Sequence, residues 1–178
     1  MPTITKDGLV CVDMGEPVLK ASEVPCTHTP TRGEAAVDAP IALGDTTYKQ
    51  TAVSMGNPHG IIFVDSLEAM DPPFETVGPL AEAHEAWPSK VNAEFVEIYS
   101  RSHVRMMVWE RGAGPTLACG TGACAVCVAG VLTGRTDRDV KVALPGGELQ
   151  IRWDKDSNKV YMTGPAVETF RGTVRGLR

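Results

Sequence analysis

The sequence lacks an excess of basic residues, because 17 Lys and Arg stand against 22 Asp and Glu and give a formal charge of −5. A nucleic-acid binder needs a basic face for its phosphate contacts, so this balance argues against that class. A long apolar run is also missing: the longest one, residues 123–132, is half of the roughly 20 residues that a membrane-spanning helix needs. We therefore expect neither a nucleic-acid partner nor a membrane span.

Targeting signals and a disulfide framework are not apparent either. Residues 1–7 show neither the basic start and apolar stretch of a secretion signal nor the Arg-rich bias of a transit peptide. The five cysteines are odd in number, and Cys119, Cys124 and Cys127 lie in one short segment, which suits free thiols. We expect a reducing compartment, namely the cytoplasm, or the plastid stroma if the source is a photosynthetic eukaryote.

The periodic segments that are present predict a mixture of strands and helices. Short β-branched and aromatic runs predict strands over residues 9–14, 61–64, 95–99, 104–109, 140–144, 148–153 and 159–163. Residues 73–87 predict a helix with one apolar stripe, and residues 121–132 a helix that is apolar on every side. These elements predict an α+β fold in which a curved, mixed or antiparallel sheet wraps around a central buried helix. Residues 15–50 are too irregular to assign.

The segment from Glu110 to Gly122 carries most of the chemical signal, because it leads through a glycine-rich loop into the start of the apolar helix. The N–H groups in the first turn of a helix lack helical partners and attract anions such as a carboxylate. A cysteine at this place is favoured as a thiolate, so Cys119 is a candidate nucleophile or general base with a lowered pKa. The alternative is an inert buried thiol, and Cys124 and Cys127 are expected to be core residues.

An iron–sulfur centre is an alternative from another class. The spacing Cys119-x4-Cys124-x2-Cys127 matches the ligand spacing of plant-type ferredoxins. The match is incomplete, because no fourth cysteine follows Cys127 and the flanking residues predict a buried helix rather than a ligand-bearing loop.

Several other polar residues have an ordinary structural interpretation when each is taken alone. Asn57 and His59 lie in a turn before a predicted strand, and Asn92 opens another strand. Glu110 and Arg111 would most often form a solvated surface pair.

Taken together, four sequence blocks resemble the second half of diaminopimelate epimerase, a cofactor-independent amino-acid epimerase. The blocks are Met55-Gly56-Asn57-Pro58-His59, Asn92-x-x-Phe95-Val96, the segment from Trp109 to Ala125 with its Ala118-Cys119-Gly120-Thr121-Gly122 core, and Met162-Thr163-Gly164-Pro165-Ala166. The third block is very specific. The resemblance extends from Val12 to about Gly172 and implies that no cofactor is used.

The resemblance implies an isomerase that interconverts LL- and meso-2,6-diaminopimelate with two cysteines on opposite sides of the substrate α-carbon. One cysteine acts as the thiolate base and the other as the thiol acid. Cys119 would be one of them, with Glu110 and His59 poising the thiol and the thiolate. The backbone at Gly120 and Thr121 would hold the α-carboxylate.

The same resemblance assigns Asn57, Asn92 and Arg111 to the distant amino and carboxylate groups of this double-ended substrate, and it counts Glu110 among the substrate-binding residues as well. A proline or hydroxyproline epimerase is the nearest alternative enzyme, but proline offers no distant charge for Arg111 to bind. A binding module without catalytic activity is the alternative outside the enzymes.

The sequence departs from the family pattern at the other cysteine, which in the family lies in an N-terminal Cys-Gly-Asn block that these 178 residues do not contain. Cys11 and Cys26 have unrelated surroundings. We therefore interpret residues 1–165 as the family's C-terminal domain and expect residues 166–178 to pack on a missing N-terminal domain. We expect the chain alone to be inactive, and a homodimer is possible because relatives commonly form one.

Overall fold

A computed structural model describes residues 2–176, and these form one mixed sheet and two helices. The strands are β1 (Thr3–Ile4), β2 (Val10–Asp13), β3 (Ala39–Leu43), β4 (Thr46–Ser54), β5 (Pro58–Val64), β6 (Asn92–Ser100), β7 (His103–Glu110), β8 (Gly114–Pro115), β9 (Asp139–Leu144), β10 (Gly147–Trp153) and β11 (Val160–Gly164), and the helices are α1 (Phe74–Glu82) and α2 (Gly120–Leu132). Every predicted element is present, and β3 and most of β4 come from residues that the sequence left unassigned.

Helix α1 is shorter than predicted, because it ends at Glu82 instead of residue 87. The chain turns after Glu82 to enter β6, and the Val91 N–H donates to the Glu82 carbonyl oxygen at 3.2 Å. Pro79 lies inside the helix and lacks an N–H group, which further weakens its last turn.

The strands follow the order β1-β2-β11-β10-β9-β7-β6-β5-β4-β3, and β8 pairs with β7 off this path. Neighbouring strands are antiparallel except for β5 with β6 and β7 with β9, which are parallel. A parallel pair needs a long crossover connection. Helix α1 lies in the first of these connections and α2 in the second.

The pleat of the strands sends alternate side chains into two separate cores. On β5, Ile61 packs on the α2 side and Ile62 on the α1 side; on β6, Val96 and Phe95 divide in the same way. Helix α2 contacts β4, β5, β6, β9, β10 and β11, and its residues from Gly122 to Gly130 are all buried. The predicted sheet around a central apolar helix is therefore confirmed.

The last described residues, 165–176, contain neither a helix nor a strand. Val167, Phe170 and Val174 in this segment are 83%, 82% and 73% exposed. Packing of residues 166–178 on another domain stays a prediction, and part of it concerns Leu177 and Arg178, which lie outside the described residues. Neither of the two described helices has the length and apolar character needed to cross a membrane.

Candidate active site

The parallel pairing of β5 with β6 brings the first site residues together. In this register His59 lies beside Asn92. Side chains alternate along a strand, so Glu94 projects from the same face as Val96, which packs on the α2 side. Cys119 is the N-cap residue of α2. Ligand-type atoms of His59, Glu94 and Cys119 consequently lie within 4.8 Å of one another.

His59 and Glu94 form a fully buried pair, since both side chains are 0% exposed. The His59 Nδ1 atom lies 2.6 Å from Glu94 Oε1, and the His59 Nε2 atom lies 3.0 Å from Asn57 Oδ1. The Nε2–H group therefore donates to the Asn57 amide oxygen, and one further proton lies between Nδ1 and the carboxylate. Burial raises the pKa of the Glu94 carboxyl, and His59 opposes this rise.

Glu94 is a site residue that sequence analysis missed. Its signal is a carboxylate between the apolar residues Ala93 and Phe95 in a strand. A buried charge is costly unless it is paired, which marks such a residue for attention. The sequence does not show the partner, because His59 is 35 residues away.

Cys119 is a thiol in an unfavourable place for negative charge. Burial, together with the nearby carboxylates of Glu94 and Glu110, raises the pKa of the Cys119 thiol to about 11, although hydrogen bonds from Thr121 and the Gly122 N–H act in the opposite direction. The Sγ atom lies 3.6 Å from Thr121 Oγ1. The predicted lowering of the pKa is therefore wrong: burial and two carboxylates outweigh the two hydrogen bonds that the first turn of α2 provides.

A limited opening reaches this region. The Cys119 residue is 8% exposed. Its neighbour Ala118 lines a cleft of about 190 Å³ together with Leu144 and Gly146. A cleft of about 540 Å³ lies on the α1 side of the sheet, where His28 and His84 line it. The sulfur is thus close to the surface, on the opposite side of the sheet from the larger cleft.

Glu110 and Arg111 lie at the end of β7, where the chain turns into β8. The Thr116 hydroxyl donates to Glu110 Oε1 at 2.6 Å. The Arg111 N–H donates to Asn92 Oδ1 at 2.8 Å, and the exposed guanidinium donates to the Ser89 carbonyl oxygen at 3.4 Å. This geometry corrects the interpretation of Glu110 and Arg111 as a simple solvated pair, because each is tied to a different neighbour.

Glu82, the last residue of α1, stabilises the turn between β7 and β8. Sequence analysis did not identify it as a site residue. Its carboxylate accepts hydrogen bonds from the Gly112 N–H at 2.9 Å and from Trp109 Nε1 at 3.1 Å, and Lys90 Nζ lies 3.1 Å away. A glutamate at the end of an amphipathic helix is ordinarily solvated, so no local signal distinguishes it. Its contacts fix the backbone that follows Glu110.

Gly122 is required for the close approach of the buried groups. A Cβ atom at Gly122 would lie 2.7 Å from Glu94 Oε1 and 3.1 Å from Cys119 Sγ. The missing side chain therefore makes room for Glu94 and for the Cys119 sulfur. At Gly120 a Cβ atom would lie 3.0 Å from Met162 Sδ.

The donor types of His59, Glu94 and Cys119, namely an imidazole, a carboxylate and a thiol, are those that bind a metal of the zinc class.

The other two cysteines of the Cys119-x4-Cys124-x2-Cys127 segment do not join a group of possible metal ligands in the part of the chain that the structure describes. Cys124 and Cys127 are buried in the core around α2, and no ligand cluster among the described residues includes them. The structure therefore gives the iron–sulfur alternative no support.

Comparison with known families decides the relationship, since residues 51–169 match diaminopimelate epimerase. The chain belongs to the diaminopimelate epimerase family. It is 53% identical over 174 residues to a diaminopimelate epimerase of Synechococcus elongatus and covers 61% of that protein. It is 50% identical over 182 residues to a chloroplastic diaminopimelate epimerase of Oryza sativa subsp. japonica and covers 50% of it. These alignments include 98% and 97% of this chain.

Among solved structures, a predicted epimerase from Pseudomonas aeruginosa has the same fold, with a TM-score of 0.58 at 18% identity over 92% of this chain and 57% of that one. The epimerase-type α+β fold is thus confirmed. The chain spans about half to three fifths of the curated diaminopimelate epimerases that it matches.

Proposed function

We propose that this chain supplies one face of the active site of a diaminopimelate epimerase, an isomerase of lysine and peptidoglycan precursor biosynthesis, and that Cys119 transfers a proton there. The observation that carries the proposal is the position of the Cys119 sulfur, at the N-terminus of α2 and beside the buried His59–Glu94 pair. The family membership supports an epimerase reaction, and we propose that it inverts one α-carbon without a cofactor.

Inversion needs a base on one side of the α-carbon and an acid on the other. The raised pKa of Cys119 favours the protonated thiol, so Cys119 is the acid in the resting state. A base outside these 178 residues removes the α-proton, and the Cys119 S–H bond then breaks to protonate the carbanion on the opposite face. Cys119 is left as a thiolate, which is the base for the reverse direction.

Backbone N–H groups at the start of α2 can stabilise the negative charge that develops on the substrate during this transfer. The N–H groups of Gly120 and Thr121 belong to the first turn of the helix, where they lack helical partners and can donate to an anion. A substrate α-carboxylate held by these groups would place the α-carbon near Cys119. Groups fixed in advance in this way stabilise the carbanion without reorganisation in the transition state.

The distant end of the substrate would meet Asn57, Asn92, Glu110 and Arg111. The oxygen atoms of Asn57 and Asn92 already accept hydrogen bonds within the protein, which leaves their NH₂ groups as donors for a carboxylate. The exposed Arg111 guanidinium can bind the same carboxylate through two hydrogen bonds. The Glu110 carboxylate would accept from an amino group.

A reducing compartment is part of the proposal, because the reaction needs free thiols. The named relatives include a cyanobacterial protein and a rice protein described as chloroplastic. We accordingly propose the cytoplasm or the plastid stroma as the place of action.

Complementation tests the proposed function. The part of the S. elongatus enzyme that this chain does not cover is co-expressed with the chain, and deuterium uptake at the α-carbon of LL-diaminopimelate is followed in D₂O. We expect uptake from the pair and none from the chain alone. Cys119→Ala should reduce uptake by roughly 100-fold or more, because it removes an acid–base group.

Cys11→Ser is the matched control, since Cys11 lies on β2 and should leave uptake unchanged. Uptake by the chain alone, or uptake that survives Cys119→Ala, would refute the proposed role. Preferential turnover of hydroxyproline by the pair would favour the alternative enzyme.

A further inference from the structure

The buried cluster of His59, Glu94 and Cys119 has the side chains needed to bind a metal ion. Its three ligand-type atoms lie within 4.8 Å of one another. Zinc binds nitrogen, oxygen and sulfur at about 2.0–2.3 Å, so the ligand atoms of a tetrahedral site lie about 3–4 Å apart. Small side-chain rotations would therefore bring all three atoms to one ion.

The surroundings of His59 match those of a metal ligand. Ligating histidines ordinarily donate their other ring N–H to an oxygen, which fixes the tautomer and orients the ring. His59 donates its Nε2–H to Asn57 Oδ1 at 3.0 Å, and Nδ1 faces Glu94 at 2.6 Å. The Nδ1 lone pair is consequently the one directed into the cluster once its proton is lost.

A second and independent observation concerns the other oxygen of Glu94. The Glu94 side chain is 0% exposed, yet its Oε2 atom has no hydrogen-bond partner among the residues that the structure describes. An unsatisfied buried carboxylate oxygen costs free energy, and a cation would satisfy it. The cluster thus contains a buried carboxylate oxygen that is available as a ligand atom.

We propose that Cys119, His59 and Glu94 form a binding site for a divalent cation of the zinc class. The bound ion displaces two protons, one from the Cys119 thiol and one shared by His59 and Glu94. The two positive charges are then balanced by one thiolate and one carboxylate, which makes the buried site neutral. Three protein ligands leave a fourth position for water on the side where Cys119 is 8% exposed.

This site would act as a block on the thiol, because a metal-bound sulfur cannot donate a proton. The inference does not rest on the proposed function, since metal binding is measured on the chain itself without substrate or turnover. The proposed site also predicts that the affinity of the chain for the metal ion increases with pH, because metal binding releases protons.

Titration with CoCl₂ and ZnCl₂ tests the proposal on the reduced chain at about pH 8. We expect one Co²⁺ per chain with a thiolate charge-transfer absorption and the intense visible bands of four-coordinate cobalt. Zn²⁺ should displace the cobalt and protect Cys119 from iodoacetamide. Cys119→Ser should abolish the charge-transfer band, and Glu94→Gln should weaken calorimetric Zn²⁺ binding by roughly 10-fold or more.

The matched controls are Cys11→Ser, which removes a thiol outside the cluster, and Glu97→Gln, which changes a carboxylate on the same strand β6. Both should bind like the unaltered chain, and circular dichroism establishes that each variant is folded. Absence of stoichiometric Co²⁺ or Zn²⁺ binding would overturn the proposal. The same holds for binding that Cys119→Ser and Glu94→Gln leave unchanged.

Discussion

Two opposite electrostatic influences meet at the Cys119 sulfur. The first turn of α2 favours a negative charge there, and the hydrogen bond from the Gly122 N–H acts in the same direction. Burial and the carboxylates of Glu94 and Glu110 disfavour it, and their combined effect is larger. The position of Cys119 at a helix N-terminus therefore does not by itself make its thiol a thiolate.

The protonation of Cys119 can be measured in the isolated chain. Because its pKa is about 11, the thiolate fraction at pH 8 should be roughly 100-fold below that of a free thiol of ordinary pKa. The iodoacetamide rate at Cys119, localised by mass spectrometry, should increase about tenfold per pH unit up to about pH 10 without a plateau. Free cysteine, which levels off near its own pKa, is the control, and a plateau for Cys119 below pH 8 would contradict the raised pKa.

At the level of secondary structure, the sequence predicts best the elements whose pattern is long and unmixed. Helix α2 and the strands β6 and β7 have such patterns, and the structure differs from the prediction only at their ends. Strands β3 and β4 were unassigned because their patterns are broken. Pro40 interrupts the apolar residues of β3, and Gly44 follows the last residue of that strand. Strand β3 is at the end of the sheet path, where a proline is tolerated.

The candidate site was predictable as far as its residues lie in recognisable motifs. Asn57, His59 and Cys119 were identified in this way, and the structure brings them together. Glu82 and Glu94 were not identified, because their partners lie on other elements far away in the sequence. Local patterns carry information on periodicity, whereas a buried carboxylate is explained only by its tertiary partner.

The packing of α2 against the following loop gives a prediction for one glycine. A Cβ atom at Gly130 would lie 2.1 Å from Thr136 Oγ1. Gly130→Ala should therefore lower the free energy of unfolding by about 1–3 kcal/mol, although alanine favours a helix over glycine by roughly 1 kcal/mol. Urea denaturation measures the change.

Thr136→Ala provides the matched variant, because the buried Thr136 Oγ1 has no hydrogen-bond partner among the described residues and its removal should cost little. The double variant should recover most of the stability lost in Gly130→Ala. If Gly130→Ala and the double variant lose the same free energy of unfolding, the Thr136 hydroxyl is not the source of the clash.

On the scale of the whole molecule, the described residues divide into a packed sheet domain and an exposed terminal segment. Val167, Phe170 and Val174 bury little surface in that segment. Removal of residues 166–178 should therefore change the free energy of unfolding by less than about 0.5 kcal/mol. Urea denaturation of the shortened chain measures this.

Ile61→Val is the control for sensitivity, because Ile61 is fully buried and its truncation should cost about 0.5–1.5 kcal/mol. A larger loss in the shortened chain than in Ile61→Val would show that the terminal segment stabilises the sheet domain by itself. Unchanged stability agrees with a segment whose apolar side chains are free to contact another domain.

The pairing of β2 with β11 joins segments from near the two ends of the described chain. Cys11 lies beside Thr163 in this register, and Lys159 Nζ lies 2.7 Å from Asp13 Oδ2. The β1–β2 hairpin and the last strand, β11, consequently lie side by side in the sheet. Such an arrangement permits the unit to be inserted into a host protein, or to be circularly permuted through a short linker, without rearrangement of the strands that hold His59 and Glu94.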